Sequence, residues 1–262
     1  MKKHILFFII FSGSFIQALS NYSPNLAARQ YFEIKVYHAG NDEQVSQIKN
    51  YLRQALIPAL HRYGLKSIGV FEAIANDTAA DKKIYVFIPY STFPDIAKVS
   101  NKLNADKTYQ QAGINFLNAA HDKAPMKRAE SIILYAFELM PRSGMPSLKG
   151  NIPDRVYELR SYESATENLY KNKVQMFNGG GEIALFNRLG FNAVFYGSVI
   201  VGSKMPNLMY MTSFDNMQSR TDHWKTFVDD PEWKKLSSMP EYKNNVSHID
   251  IYLLRPLEFS DI

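Results

Sequence analysis

The chain has 262 residues, of which 46% are hydrophobic and 21% charged, a globular composition that excludes a disordered or collagen-like protein. Its net charge of +5 falls to +3 without Lys2 and Lys3, an excess too small to indicate nucleic-acid binding. The absence of cysteine excludes a thiolate nucleophile, a Cys-ligated metal centre and a disulfide framework.

The first element is an apolar leader. Lys2 and Lys3 precede an apolar run over residues 5–11, and a more polar stretch follows that ends in Ala18, Leu19 and Ser20, with small residues at the cleavage site, which is the pattern of a secretory signal peptide. Polar residues 12–14 interrupt the run well short of the ~20 residues that span a bilayer. We therefore predict a signal peptide over residues 1–20, an exported protein in the periplasm or outside the cell, and no stable membrane insertion after cleavage.

Strand and helix periodicities then alternate in a fixed order. Residues 31–37 alternate as a strand does, and apolar residues spaced by three and four from Val45 to Ala59 predict a helix. We expect this helix to begin with Asp42 as its N-cap and to kink at Pro58. The remaining elements predicted for this copy are strands near 67–75, 83–89 and 129–140 and helices between 93 and 120, which completes a β-α-β-β-α-β order.

A linker rich in Pro and Gly, residues 141–153, separates this copy from a second one. The elements predicted for the second copy are strands at 155–162, 192–201, 207–214 and 246–254, a helix from Thr166, and helices within 216–238. Glu33 and Glu158 occupy matching positions of the first strands, 125 residues apart, and Tyr85 and Tyr210 keep the same spacing. Solenoid repeats are only ~20–50 residues long, so this spacing indicates a duplicated domain.

The repeated order predicts an α+β fold of two tandem ferredoxin-like domains, residues 21–140 and 154–262. Each domain has one antiparallel sheet with helices on a single face. We expect the two sheets to meet through their uncovered faces and to close a barrel within one chain.

Alternation along the strands gives each sheet one polar, aromatic face. We expect the apolar residues Phe32, Ile34 and Val36 to lie under the helices and the polar face to line a chamber between the sheets. The polar residues of the two first strands are Tyr31, Glu33, Lys35 and Tyr37, and Val156, Glu158, Arg160 and Tyr162. The alternative is that Glu33 with Lys35, and Glu158 with Arg160, are structural pairs, because an unpaired buried charge is very costly.

The chamber hypothesis selects candidate ligand-binding residues in the second copy. In this hypothesis Arg160 fixes an anionic group, the tyrosines stack or hydrogen-bond, and His248 titrates near neutral pH. His248 as a general base, Asp250 as its partner and Arg160 as the stabiliser of a developing anion are the catalytic candidates. The ligand-binding candidates are Glu158, Arg160, Tyr162, Tyr196, Tyr210, Trp224, His248, Asp250 and Tyr252.

Two further features have less specific interpretations. Gly179 to Gly181 interrupt the first helix of the second copy, either as an interhelix turn or where a ligand approaches the backbone. His223 lies on a predicted helix, where a lone histidine is more often hydrogen-bonded than metal-bound. We therefore predict no metal site and no cofactor.

The second copy resembles the NIPSNAP family, within the dimeric α/β-barrel superfamily. The resemblance rests on five blocks, namely residues 157–162 (YELRSY), 181–186 (GEIALF), 205–208 (MPNL), Arg220 with Trp224, and 230–234 (DPEWK). It implies ferredoxin-like units that pair through their sheets. Relatives in the superfamily include cofactor-independent monooxygenases, haem-handling enzymes and stress-response barrels, so the resemblance implies no single reaction. The first copy keeps Glu33, Lys35 and Tyr37 but has no counterpart of DPEWK.

Three functions are consistent with the sequence. The first is an exported barrel protein that binds a small anionic or aromatic molecule, without a known activity. The second is a cofactor-independent monooxygenase or isomerase that uses His248 and Arg160. The third is a protein-interaction module with a filled barrel. The expected partner is a small molecule and not nucleic acid, and homo-oligomers are compatible with the sequence.

Overall fold

The structure is a computed structural model that describes residues 28–262, so the predicted signal peptide lies outside the described residues. The strands are β1 (Tyr31–Ala39), β2 (Gly69–Ala73), β3 (Lys82–Tyr90), β4 (Arg128–Ala136), β5 (Val156–Glu163), β6 (Asn192–Val201), β7 (Asn207–Phe214) and β8 (His248–Pro256). The α-helices are α1 (Asp42–Tyr51), α2 (Ile57–Arg62), α3 (Phe93–Ala105), α4 (Lys107–Ala112), α5 (Ile114–Leu117), α6 (Glu167–Phe177), α7 (Glu182–Arg188), α8 (Met217–Asp229) and α9 (Pro231–Ser238). None of the helices in this part of the chain is long and apolar enough to cross a membrane.

The eight strands form one closed antiparallel barrel in the order β1-β3-β2-β8-β5-β7-β6-β4. Each half of the chain contributes four neighbouring strands, and the pairs β2–β8 and β4–β6 join the halves. Closure pairs both edges of each sheet, which removes the exposed edges that two separate sheets would present. The predicted α+β fold, with two ferredoxin-like units in one barrel, is confirmed.

Local sequence signals set where several helices begin. The side chain of Asn41 accepts a hydrogen bond from the Gln44 amide at 2.9 Å, so the N-cap of α1 lies one residue before the expected Asp42. Thr166 caps α6, as its predicted start requires. A π-helical turn, Leu52–Leu56, precedes Pro58. This wide turn relieves the clash between a proline ring and the carbonyl four residues earlier, where we expected a simple kink.

The expected orientation of the sheet faces is wrong for the first strand of each copy, β1 and β5. Phe32, Ile34 and Val36 point into the barrel, where they pack with Tyr157 and Leu159 from the other half. The barrel interior excludes water, and at β1 and β5 it therefore holds mainly the apolar face. The polar faces of these two strands lie beneath the helices, and α8 supplies charged and aromatic partners to that of β5. β8 differs, since His248, Asp250 and Tyr252 turn inward at one end of the barrel, as expected.

The alignment of the two copies also differs from the one that the 125-residue spacing of Tyr85 and Tyr210 suggested. Val36 and Ser161 are equivalent, and the residues opposite them in the ladders are Tyr85 and Met209. Tyr85 therefore corresponds to Met209 and not to Tyr210. Because a slip of one residue reverses the face of a strand, Tyr85 lies inside the barrel and Tyr210 outside it.

Candidate functional site

The barrel has a cavity at the end where β1 and β5 finish, which we call the barrel mouth. Four antiparallel steps separate β1 from β5, so His38 near the end of β1 and Glu163 at the end of β5 reach the same end of the barrel. Farther inside, Phe32, Phe87 and Phe195 fill the barrel, with ring centroids 5.1–5.4 Å apart. The cavity is therefore closed at its base and open at the mouth.

The cavity has a volume of about 220 Å³, more than the roughly 150 Å³ of an engineered apolar cavity that accepts benzene. Tyr85 and Tyr252 face each other on its wall, with ring centroids 5.8 Å apart. Apolar side chains form the rest of the lower wall, and charged or polar side chains surround the opening. The apolar lining residues are Ile34, Val36, Ile132, Leu159, Val199 and Met209, and the polar ones are His38, Lys83, Arg128, Glu130, Ser161, Ser203, Lys204 and Asn207.

His38 is the most buried ionisable group that the first half contributes to the mouth, with 3% of its surface exposed. Its Nδ1 atom lies 2.9 Å from an Asp81 oxygen, and its Nε2 atom lies 3.0 Å from a Glu130 oxygen, off the line of a hydrogen bond. Burial raises the pKa of Asp81, but the hydrogen bond with His38 and the charges of His38 and Lys83 outweigh it and hold that pKa below its usual value. The imidazole is thus fixed between two carboxylates at the edge of the cavity.

The second half surrounds the mouth with a different set of charges. Lys204, from the loop between β6 and β7, makes a short hydrogen bond to Asp250 and lies 3.7 Å from a Glu163 oxygen. The hydrogen bond to Asp250 raises the pKa of Lys204. His248 Nε2 lies 3.2 Å from the other oxygen of Asp250. Burial raises the pKa of Asp250, but hydrogen bonds from Lys204 and His248 hold it below its usual value.

The remaining polar candidates form a separate cluster outside the barrel, between β5 and α8. Glu158 is fully buried and accepts hydrogen bonds from Arg160 Nε at 2.5 Å, Arg220 Nε at 2.6 Å and Trp224 Nε1 at 2.8 Å. The Arg160 guanidinium lies 3.6 Å above the Trp224 ring and donates to the Tyr162 hydroxyl at 3.1 Å. This is the structural pairing that we considered as the alternative, with the added function of fastening α8 to the sheet.

The structure therefore divides the sequence candidates. His248, Asp250 and Tyr252 lie together at the barrel mouth, whereas the side chains of the other six lie on the outer side of the sheet. Tyr196 and Tyr210 are completely buried there under α6 and α7. The expectation that Glu158, Arg160, Tyr162, Tyr196, Tyr210 and Trp224 line the chamber is wrong, because their faces pack against helices. Arg160 and His248, the proposed catalytic pair, are separated by the sheet.

Residues of the first half line much of the cavity, and sequence reasoning missed them. Continuing the apolar alternation of β1 beyond Val36 leads to His38, which is 125 residues before Glu163. That continuation was the sequence signal that could have identified His38. Lys83 and Glu130 of the first half, and Lys204 of the second, could be placed only with the strand register and the loop position, which the tertiary structure supplies.

The glycine-rich segment and His223 have structural functions. Gly181 has a φ of 97° and sits just before α7, so Gly179 to Gly181 form the turn between α6 and α7. His223 Nδ1 lies 2.7 Å from the carbonyl oxygen of Ser219, and its ring packs on Phe191 and Phe214. Both features belong to the helical layer and not to the cavity.

The comparisons with known proteins agree with this architecture. Residues 157–261 match the model of the NIPSNAP family, so the predicted resemblance is confirmed for the second half. A NIPSNAP-like domain protein from Burkholderia xenovorans aligns over 41% of this chain and 90% of its own, at 19% identity and a TM-score of 0.36. No curated protein matches the chain.

Several solved structures resemble nearly the whole chain, and two of them are named "putative monooxygenase". The one from Lactobacillus acidophilus is 12% identical over 87% of this chain and 94% of its own, with a TM-score of 0.58. The one from Fusobacterium nucleatum is 9% identical over 88% and 94%, with a TM-score of 0.57. At these identities the likeness shows a shared fold alone.

Proposed function

Because residues 157–261 form a NIPSNAP domain that closes a barrel with the first half, we propose that the protein binds a small aromatic molecule with an anionic group at the barrel mouth. The observation that carries this proposal is the cavity of about 220 Å³, with a mainly apolar base and a charged opening. Ligand pockets combine an apolar lining with a few polar groups that fix orientation.

The distribution of charge favours an anion on the side of the first half. Lys83 and Arg128 both line the opening there. Lys83 lies 3.6 Å from Asp81 and Arg128 lies 3.3 Å from Glu130, so each has a carboxylate partner near the surface. Such exposed pairs contribute little energy and are readily exchanged for a ligand carboxylate. A ring that packs against Tyr85 and Tyr252 in the cavity would carry its anionic substituent toward these cations.

The test uses benzoate as a probe, with benzene as its uncharged analogue, and measures binding by ligand-observed NMR and calorimetry. Val199 is buried in the cavity wall, whereas its neighbour Ile200 is 37% exposed on the opposite face of β6. We expect Val199→Trp to fill the cavity and to weaken benzoate binding by about tenfold or more, a loss of at least ~1.4 kcal/mol. Ile200→Trp is the matched control and should bind as the wild type does.

Charge is tested separately with Lys83→Met. This variant should weaken benzoate and leave benzene unchanged. Equal benzoate affinity in wild type and Val199→Trp would refute the site. Failure of both probes, with no small molecule retained in native mass spectrometry, would leave the barrel as an interaction module.

A monooxygenase or isomerase that uses no cofactor is the second candidate. Its support is His38, a buried imidazole held between Asp81 and Glu130 at the cavity. His38 is the proposed general base, since His248 and Arg160 are separated by the sheet. The monooxygenase-like neighbours share only the fold. Oxygen uptake with phenolic compounds that bind the cavity, lost in His38→Gln with binding retained, would establish this activity. Unchanged turnover in that variant would exclude His38 as the base.

We also propose export through the leader over residues 1–20. The support is the sequence pattern of that segment alone. Fractionation of cells that produce the full-length chain, with mass spectrometry of the mature N-terminus, tests it. Cleavage after Ser20 is expected, and an intact leader on cytoplasmic protein would contradict it.

A further inference from the structure

Three potential metal ligands meet on the second half's side of the barrel mouth. Glu163 at the end of β5 is directly opposite His248 at the start of β8, and Asp250 follows two residues later on the same face. One ligand atom from each lies within 4.8 Å of the others. Their side chains are between 24% and 58% exposed, so an ion can reach them from solvent.

The chain already places a cation at this cluster. The Lys204 ammonium hydrogen-bonds to Asp250 and lies 3.7 Å from Glu163. Two carboxylates so close together repel each other unless a positive charge lies near both. Lys204 belongs to the loop between β6 and β7 and is 45% exposed, so its side chain can swing into solvent when another cation takes its place.

A second observation concerns Asn207, a buried residue that pairs with Glu163 in the sheet. Asn207 is directly opposite Glu163 on β7, on the same inward face, and only 1% of its surface is exposed. Its Nδ2 atom donates to Ser161 Oγ at 2.7 Å, but its Oδ1 atom has no hydrogen-bond partner among the described residues. A buried amide oxygen without a partner costs about 1–3 kcal/mol by mutational measures. An amide oxygen is also an ordinary ligand for a hard cation.

The equivalent positions in the first half carry different side chains, so the three proposed ligands occur together in the second half only. His38 corresponds to Glu163, and the residues opposite it in the ladders are Lys83 and Arg128, which correspond to Asn207 and His248. Lysine and arginine side chains do not ligate a metal ion, so of the three proposed ligands only Asp250 has a carboxylate equivalent there, Glu130.

We propose that Glu163, His248 and Asp250 form a binding site for a divalent first-row transition-metal ion. One imidazole nitrogen and two carboxylates suit Zn²⁺ or Mn²⁺ better than Ca²⁺, which prefers oxygen ligands alone. Lys204 competes with the metal ion for the same carboxylates. Lys204 and Asn207 also line the cavity, but none of the three proposed ligands does, so Zn²⁺ binding does not require a small molecule there.

The experiment titrates Zn²⁺ alone into untagged protein by calorimetry and follows the His248 imidazole resonances by NMR. We expect one equivalent to bind, and binding to weaken by about tenfold or more in His248→Ala. Lys204→Met should instead strengthen binding by about two- to fivefold, because the competing ammonium is gone. If Lys204 only stabilised the fold, its removal would not strengthen Zn²⁺ binding.

The control is His61→Ala, since His61 also pairs with an aspartate, Asp261, at 3.0 Å, but away from the cluster. This variant should bind Zn²⁺ as the wild type does. Urea unfolding of each variant shows that it is folded. The inference is overturned if Lys204→Met fails to bind Zn²⁺, or if His248→Ala binds it as tightly as the wild type.

Discussion

Replacing Glu158 by Gln tests the assignment of the Glu158–Arg160 cluster to structure. Glu158 is fully buried and accepts hydrogen bonds from Arg160, Arg220 and Trp224, so the substitution leaves two guanidinium groups without their anion. Breaking a buried ion pair by removing one partner costs about 3–5 kcal/mol. For a chain of this size that loss corresponds to a fall in Tm of roughly 10 °C.

The matched control is Glu33→Gln, the equivalent substitution in the first half. Glu33 accepts from Ser131 at 2.7 Å, Tyr90 at 3.0 Å and Lys35 at 3.3 Å, and Lys35 is partly exposed. Two of its partners are neutral and the third can rehydrate, so we expect a loss of about 1–2 kcal/mol.

Urea unfolding followed by circular dichroism gives both free energies of unfolding. A loss for Glu158→Gln no greater than that for Glu33→Gln would refute the reasoning. Weakened benzoate binding by folded Glu158→Gln would return the cluster to the ligand site.

Three further predictions concern stability. Burial raises the pKa of Glu158, but hydrogen bonds and charge from Arg220 and Arg160 hold it below its usual value of 4.5. Its stabilisation is therefore full above about pH 4.5 and is lost as the pH falls through the lower folded pKa, so acid titration of unfolding should be flatter in Glu158→Gln. Lys173→Met leaves buried Glu182 without its partner at 2.7 Å and should cost about 3–5 kcal/mol, while adding Glu182→Gln should recover part of the loss in a double-mutant cycle. Gly181→Ala should cost ~1 kcal/mol, because only the left-handed φ is unfavourable there. Gly180→Ala should cost more, because the new Cβ would lie 2.6 Å from the Met176 carbonyl oxygen. Equal losses at the two glycines in thermal unfolding would contradict this.

Strand and helix order, the duplication and the NIPSNAP resemblance were all accessible from the sequence. These features depend on local periodicity and on short motifs, each of which is contained within one segment of the chain. The structure confirms the two-unit barrel, and the family match over residues 157–261 confirms the resemblance. The boundaries of the predicted domains and the leader stay predictions.

The sequence alone determined that each strand has an apolar and a polar face, but it did not determine which face turns inward. β1 and β5 are buried on both faces, and the choice depends on the partners that distant segments bring. Arg220 and Trp224 of α8 neutralise and cap Glu158 on the outside, whereas Phe87 and Phe195 complete an apolar interior. Only tertiary packing supplies these partners, so only the structure could move the candidate site from the Glu158 cluster to the barrel mouth.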